Sequence, residues 1–213
     1  MTIDKRKQQK RSSKKKGVVV GPRHPFTSSN VKRIKALLAK RGDAGMRDLA
    51  LFSTAIDTML RASDLLSLTV KDVRQRDRNM RDTVKVTTAS MGSVVHCTLS
   101  KETQRILESW INSSAKKPGD YLFTPSTNVR AKPLSARQLN RLVKYWAADI
   151  RLDPRAYGTE SLRRTRAAHI LSETGNLEAV RLLLGHNDIG STARYLGAIK
   201  QPDHLAISRA YEI

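Results

Sequence analysis

Leu183 to Tyr195 reads LLGHNDIGSTARY, and the rest of the chain can be organised around it. Gly185 ends the apolar run Leu177 to Leu184, because glycine takes the left-handed conformation that terminates helices. Asn176 is placed to cap the start of that run. His186 follows, then eight residues, then Tyr195, in a last short helix expected over Thr192 to Leu196. Upstream, Leu162 to Glu173 recurs at helical spacing and carries Arg163, Arg164 and Arg166. Only one of those three arginines can face a given site, and the register selects Arg163. His169 falls on the apolar face of this helix and reads as structural, while His24, His96 and His204 carry no signal. Before it, Ser135 with Gln138 makes a capping-box pattern ahead of LNRLVKYWAADI, residues 139–150.

The N-terminal half begins helically and then changes period. Ser28 and Ser29 stand where a cap belongs before VKRIKALLAK, Val31 to Lys40, which runs to Gly42. Met46 to Leu60 predicts a second helix with Leu49, Phe52, Ala55, Ile56 and Met59 inward. Ser63 can cap a short third one bearing Leu65, Leu66 and Leu68. Thr83 to Thr88 and Val94 to Leu99 alternate with β-branched residues around Ser90-Met91-Gly92-Ser93, the pattern of a hairpin. Ser100 opens a helix to about Trp110, and Pro118-Gly119-Asp120 breaks the chain. The fold class is therefore mainly α with a small antiparallel β-hairpin.

Charge narrows the partners. Of 213 residues, 40 are Lys or Arg against 19 acids, a net of +21, which points to a polyanion and most commonly to nucleic acid. Residues 1–25 hold nine Lys/Arg and one acid, a net of +8, so the body carries +13 of its own. The tail cations Lys5, Arg6, Lys7, Lys10, Arg11, Lys14, Lys15 and Lys16 lie in a stretch without apolar periodicity, expected to be disordered in isolation. They suit an arm that neutralises DNA phosphates, as against a solubilising extension or a nuclear-localisation signal. Residues 26–213 form one domain. There is no apolar run long enough to span a bilayer, no secretory or lipidation signal, and no Cys/His cluster with zinc spacing around the single Cys97. The expectation is a cytoplasmic, DNA-associated bacterial protein without metal, cofactor or membrane partner.

Three segments carry a resemblance. LLGHNDIGSTARY is similar to the segment that closes the active site of tyrosine recombinases, the phage-type integrases. ESLRRT, with Arg163 twenty-three residues before His186, resembles the family's H-x-x-R box, with Glu160 in the His position. MLRASDLLSLTVKDV, Met59 to Val73, resembles the segment bearing the family's first catalytic arginine, which falls on Arg61. The three stand in the family's order over roughly residues 26–200. The resemblance implies a catalytic domain in which Tyr195 attacks a scissile phosphate and forms a 3′-phosphotyrosine, with no metal or ATP. It implies Arg61 and Arg163 as holders of the non-bridging oxygens, His186 as a further donor, and Arg164 as a DNA contact. It implies duplex DNA and further copies of the chain, as a tetramer on DNA, as partners. The family's separate core-binding domain is not read here; the basic tail stands in its place.

Taken singly, each residue has a plainer reading. An arginine at a helix end is ordinarily a solvated charge, a histidine after a helix C-terminus is favoured by the dipole, and most helical tyrosines are core aromatics. The spacing of all three segments together is what sets those readings aside. Two positions depart from the family. Its lysine general acid, on the hairpin turn, falls on Ser90 (or Ala89), and Lys85 lies five residues earlier on the opposite strand face. Lys71 and Lys101 are distant in sequence. Glu160 repels a phosphate and can pair with Arg163 at i,i+3, though a carboxylate there could also take the tyrosine proton. Each acid–base group contributes roughly 10²- to 10⁴-fold, so loss of both would reduce cleavage to a trace. The alternative is a catalytically weakened relative that binds DNA and regulates or competes with an active recombinase.

Overall fold

In a computed structural model the described residues are 23–89, 92, 94–125 and 132–197. The basic arm up to residue 22, Ser90 and the segment after Gly197 lie outside them. The hydrophobic pattern folds as expected into helices and one hairpin, but several elements begin earlier than their apolar periodicity. α1 spans Ser28–Ala39 and is capped by Thr27, not by Ser28 or Ser29; its side chain accepts from the Asn30 amide at 3.2 Å. The reason is the neighbouring Phe26, fully buried, whose amide donates to Thr165 Oγ1 at 2.9 Å and fixes where the chain turns.

α2 spans Gly42–Thr58 and starts four residues before Met46. Gly45 allows this, because a Cβ there would lie 2.2 Å from the Leu38 carbonyl oxygen; the two helices touch backbone to backbone. From Asp48 to Ile56 every residue of α2 is buried. Its polar groups are mostly satisfied internally: Thr54 and Thr58 donate to the carbonyls of Ala50 and Thr54 at 2.7 and 2.8 Å. Asp48 accepts from the Trp146 indole at 3.2 Å and pairs with Arg47 at 2.7 Å.

Met59 ends α2 in the left-handed region (φ 51°), and Arg61 rather than Ser63 caps α3, Ala62–Leu66. α4 follows, Val70–Val73, held by a reciprocal Thr69–Asp72 capping box; four residues are too few to show a period in sequence. β1 (Thr83–Thr87) and β2 (Val94–Thr98) pair antiparallel with Lys85 opposite His96, burying Val84, Val86 and Cys97. α5, Lys101–Ser113, starts after its Ser100 cap, and its Trp110 indole donates to the Leu122 carbonyl at 2.9 Å. α6, Ala136–Asp149, carries the Ser135–Gln138 box expected of it.

α7 spans Thr159–Thr174, starting three residues before Leu162, so Glu160 stands in its first turn. His169, on α7, is half-buried with its Nε2 3.4 Å from Ser28 Oγ. α8 is Leu177–Leu184 with Asn176 as cap and Gly185 as terminator, as its sequence indicates. α9 covers Ile189–Leu196; Asp188 accepts from the Ser191 amide at 2.7 Å and starts it three residues before Thr192.

Two apolar clusters result. The larger joins α1, α2, α5, α6 and the hairpin around Phe26, Phe52 and Trp146, with Phe52 set edge-on to Trp146 at 5.5 Å between centroids. Among the described residues the smaller holds Met59, Ala167, Val180 and Leu184 as buried members, with Ile170, Leu171, Tyr195 and Leu196 packed against it. It is what seats α8 and α9 on α7. Truncating Phe52 to Ala should cost about 3–5 kcal/mol by leaving a cavity in the larger cluster. Leu182→Ala, on a residue 64% exposed, should change stability by less than about 0.5 kcal/mol. Urea unfolding of both variants checks the contrast.

Candidate active site

The site lies at the seam between the two clusters, where four elements end or begin. Arg61 is delivered by the sharp turn at Met59, and Arg163 by the second turn of α7. His186 follows the Gly185 terminator, and Tyr195 is in the last turn of α9. Arg61 and Arg163 line one narrow cleft with Asp64, Thr88 and Gly185.

Arg163 is 8% exposed. One of its terminal nitrogens donates to the Leu184 carbonyl, and its Nε is buried without a hydrogen-bond partner among the described residues. Burial pulls its pKa below the ordinary arginine value, Tyr195 and Glu160 act in the opposite sense, and the like charge of Arg61 adds to the lowering. An arginine remains charged under such shifts. The result is a cation stripped of water with a donor unspent, a setting that favours an arriving anion.

His186 places Nδ1 3.0 Å from Thr192 Oγ1, and its ring meets that of Tyr195 edge-on at 5.3 Å. If the threonine hydroxyl donates to Nδ1, the neutral ring carries its proton on Nε2, where it can donate. Burial first, then Arg163 and Arg61, lower the His186 pKa and favour that neutral form.

Tyr195 is half-buried, and its hydroxyl donates to Glu160 Oε2 at 3.0 Å. Burial, followed by the Glu160 carboxylate, pushes the phenol well above its usual range, against a smaller opposite pull from Arg163. Glu160 therefore departs from the expected i,i+3 ion pair with Arg163. Arg163 swings inward to the Leu184 carbonyl, and the phenol takes the carboxylate instead. Arg164 also differs from expectation: two arginines of α7 reach the site, not one. Its guanidinium lies 4.5 Å from the Tyr195 ring centroid, while Nη1 donates to the Arg23 carbonyl at 2.9 Å.

Two residues of the site escaped sequence reasoning. Asp64, 3% exposed, accepts from the Ala89 amide at 3.0 Å and ties the end of the hairpin to the Arg61 turn. An acid inside the apolar run of α3 was its signal, since buried acids need partners. Thr192 orients His186 and left no trace beyond its position on α9. Ala89, beside Ser90, is thus anchored at the site, whereas Lys85 stands exposed on its strand. The Cys97 thiol is buried and pushed up to about 11, so it is no nucleophile at neutral pH.

Arg61 and Arg163 on one cleft, and His186 edge-on to Tyr195, come from the three segments by which the sequence resembled the tyrosine recombinases. The profile of the phage integrase family matches residues 25–201, and the chain belongs to that family. The tyrosine recombinase XerD of Xanthomonas axonopodis pv. citri (strain 306) is 32% identical over 180 residues, covering 79% of this chain and 57% of that protein. The probable integrase/recombinase YoeC of Bacillus subtilis (strain 168) is 32% identical over 156 residues, 71% of this chain and 77% of the relative. The chain spans about half the length of most of the curated relatives it matches.

Among solved structures, the XerH site-specific recombinase bound to its difH substrate superposes with a TM-score of 0.68. It is 19% identical and is matched over 88% of this chain and 54% of the other. The catalytic domain of bacteriophage HP1 integrase gives a TM-score of 0.55 at 21% identity, over 89% of this chain and 95% of that one. The fold is that of the tyrosine recombinase catalytic domain. No helix among the described residues is long and apolar enough to cross a membrane.

The lowered His186 pKa has a consequence for stability. An unfolded histidine titrates near 6.5, so below that pH the unfolded chain holds more protons than the folded one. The His186 contribution is thus fully present above about pH 6.5 and is lost as pH falls toward the depressed folded value. Urea unfolding across this window should show a slope in the parent that is shallower in His186→Asn.

Proposed function

We propose that the chain breaks and rejoins DNA strands at specific sites, with Tyr195 as nucleophile and copies of the chain assembled on duplex DNA. The observation that carries this reading is the convergence on one seam of the Tyr195 hydroxyl, Glu160, His186 and the buried, partly unpartnered guanidinium of Arg163. In the proposed step the Tyr195 oxygen attacks the scissile phosphorus and the bond from phosphorus to the 5′ oxygen breaks. Glu160 accepts the phenolic proton through the existing hydrogen bond. The leaving oxygen takes a proton from solvent, since position 90 offers a serine and no lysine. Arg61 and Arg163 hold the non-bridging oxygens, and His186 donates from Nε2. Rejoining runs in reverse, with protonated Glu160 returning its proton to the tyrosine. The Glu160 charge also repels the phosphate, so the enzyme is slow as well as competent. In the tail, Lys5 to Lys16 neutralise flanking phosphates.

The same hydrogen bond favours a second reading, in which it withholds the phenol and the chain binds DNA without cutting, to regulate or compete with an active recombinase. A nicked suicide duplex of the native site separates the two. A covalent protein–DNA adduct is expected in the parent and none in Tyr195→Phe. Glu160→Gln should lower single-turnover cleavage roughly 10²- to 10⁴-fold, and Ser90→Lys should raise it. Tight binding with no adduct in the parent or in Ser90→Lys would establish the binding-only protein. Deleting residues 1–22 should flatten the dependence of log K on log salt by about 0.9 for each phosphate that the arm no longer neutralises.

A further inference from the structure

A strongly basic concavity lies apart from the cleft of Arg61 and Arg163. α4, the turn after it and the end of α5 enclose a groove of about 720 Å³. Val70, Ile111 and Pro118 contribute apolar surface, and seven Lys and Arg side chains line it against a single acid, Asp72. Asp72 is already engaged, accepting from the amide and hydroxyl of Thr69 at 2.7 and 2.6 Å. Two of the cations are engaged as well. Arg74 donates to Asn112 Oδ1 and to the Arg78 carbonyl, and Lys116 donates to Thr124 Oγ1 at 3.0 Å. Lys71, Arg76, Arg78, Arg81 and Lys117 are exposed, and none forms an ion pair with a described residue.

Mutual repulsion makes such a cluster unfavourable for folding on its own account. The backbone around it is also strained. Of the four described non-glycine residues with positive φ, two line this groove: Arg78 at 71° and Ala115 at 51°. Glycine would relieve either position. Strain and unpaired charge held together in one concavity mark a binding surface. The chemistry of the lining selects the ligand. It includes no aromatic side chain on which a base could stack, so nothing here favours a nucleobase or a single strand. Cations spread over both walls suit successive phosphates of a polymer better than one small anion.

The groove shares no lining residue with the cleft of Arg61 and Arg163. β1 leads away from Arg81 and ends near Ala89, whose amide is bonded to Asp64 at the site. The five residues of β1, at about 3.3 Å each, span roughly 15 Å between the Arg81 end of the groove and the Ala89 end of the cleft. The geometry points to this groove as a second site for the phosphodiester backbone of duplex DNA, separate from the stretch that reacts at Tyr195. The inference rests on the reading of the chain as a DNA-handling protein, but not on its power to cut.

The test uses the full chain and the triple variant Arg76→Gln, Arg78→Gly, Arg81→Gln, all three at exposed positions. Binding is measured against salt on a short duplex that covers only the cleavage site and on a long one, with adduct yield on a short suicide duplex measured separately. The basic tail is present in both proteins, so its share of the slope cancels. The triple variant should lose about 2–3 units of slope in log K against log salt, at about 0.9 per neutralised phosphate. A loss confined to the long duplex identifies the flank of the reacting DNA as occupant. Loss of a second short duplex bound per chain identifies a separate one. Identical slopes and stoichiometry in parent and variant overturn the proposal. So does a variant that keeps its DNA slope but no longer binds inorganic phosphate, which would make this a small-anion site. Adduct yield on the short suicide duplex reports only the Tyr195 reading, so failure there leaves the groove result standing by itself.

Discussion

The rest of the structure depends on α2 being buried on every side. A helix with no solvent face from Asp48 to Ile56 must be surrounded, and α1, α5 and α7 each lie against it. Such a helix has no amphipathic stripe to slide along, so its axial position is fixed by packing alone. That fixity is transmitted through Met59. The left-handed turn there delivers Arg61 to the site, while the Met59 side chain is a founding member of the small cluster that seats α8 and α9. One residue thus sets Arg61 and supports the platform on which Tyr195 packs.

Much of this was legible in the sequence, for identifiable reasons. α8 was read to the residue because Asn176 and Gly185 punctuate it with strong local chemistry. The hairpin strands fell within a residue of their observed ends because β-branched alternation is local too. What failed was set by distant contacts. α2 runs back through Gly45 because Leu38, on another helix, presses against it, and α7 starts at Thr159, after a Gly158 cap on which Asn140 of α6 closes in. The site followed the same division. Arg61, Arg163, His186 and Tyr195 were expected from the resemblance, and the fold sets Arg61 and Arg163 along one cleft and His186 against Tyr195. Asp64 and Thr192 act only through partners brought in by the fold, and Glu160 found its partner 35 residues away instead of three.

The electrostatics of the seam divide between two carboxylates. Asp64 is buried and spends one oxygen on the hairpin backbone, which makes it a brace for the cleft. Glu160 is exposed and holds the one group at the site whose proton must move if chemistry occurs. Arg164 covers the ring of that same tyrosine from the next position on α7. The phenol is thus gripped at its hydroxyl by an anion and across its face by a cation, which together fix its orientation.

The imbalance between the two clusters also decides what light can report. Trp110 and Trp146 both belong to the larger one, hydrogen-bonded to Leu122 and Asp48. The smaller cluster contains no indole. Tryptophan emission therefore follows melting of the domain's main body and is blind to α9 lifting off α7. Departure of α9, and of Tyr195 with it, would pass without optical signal unless an indole were introduced beside Val180.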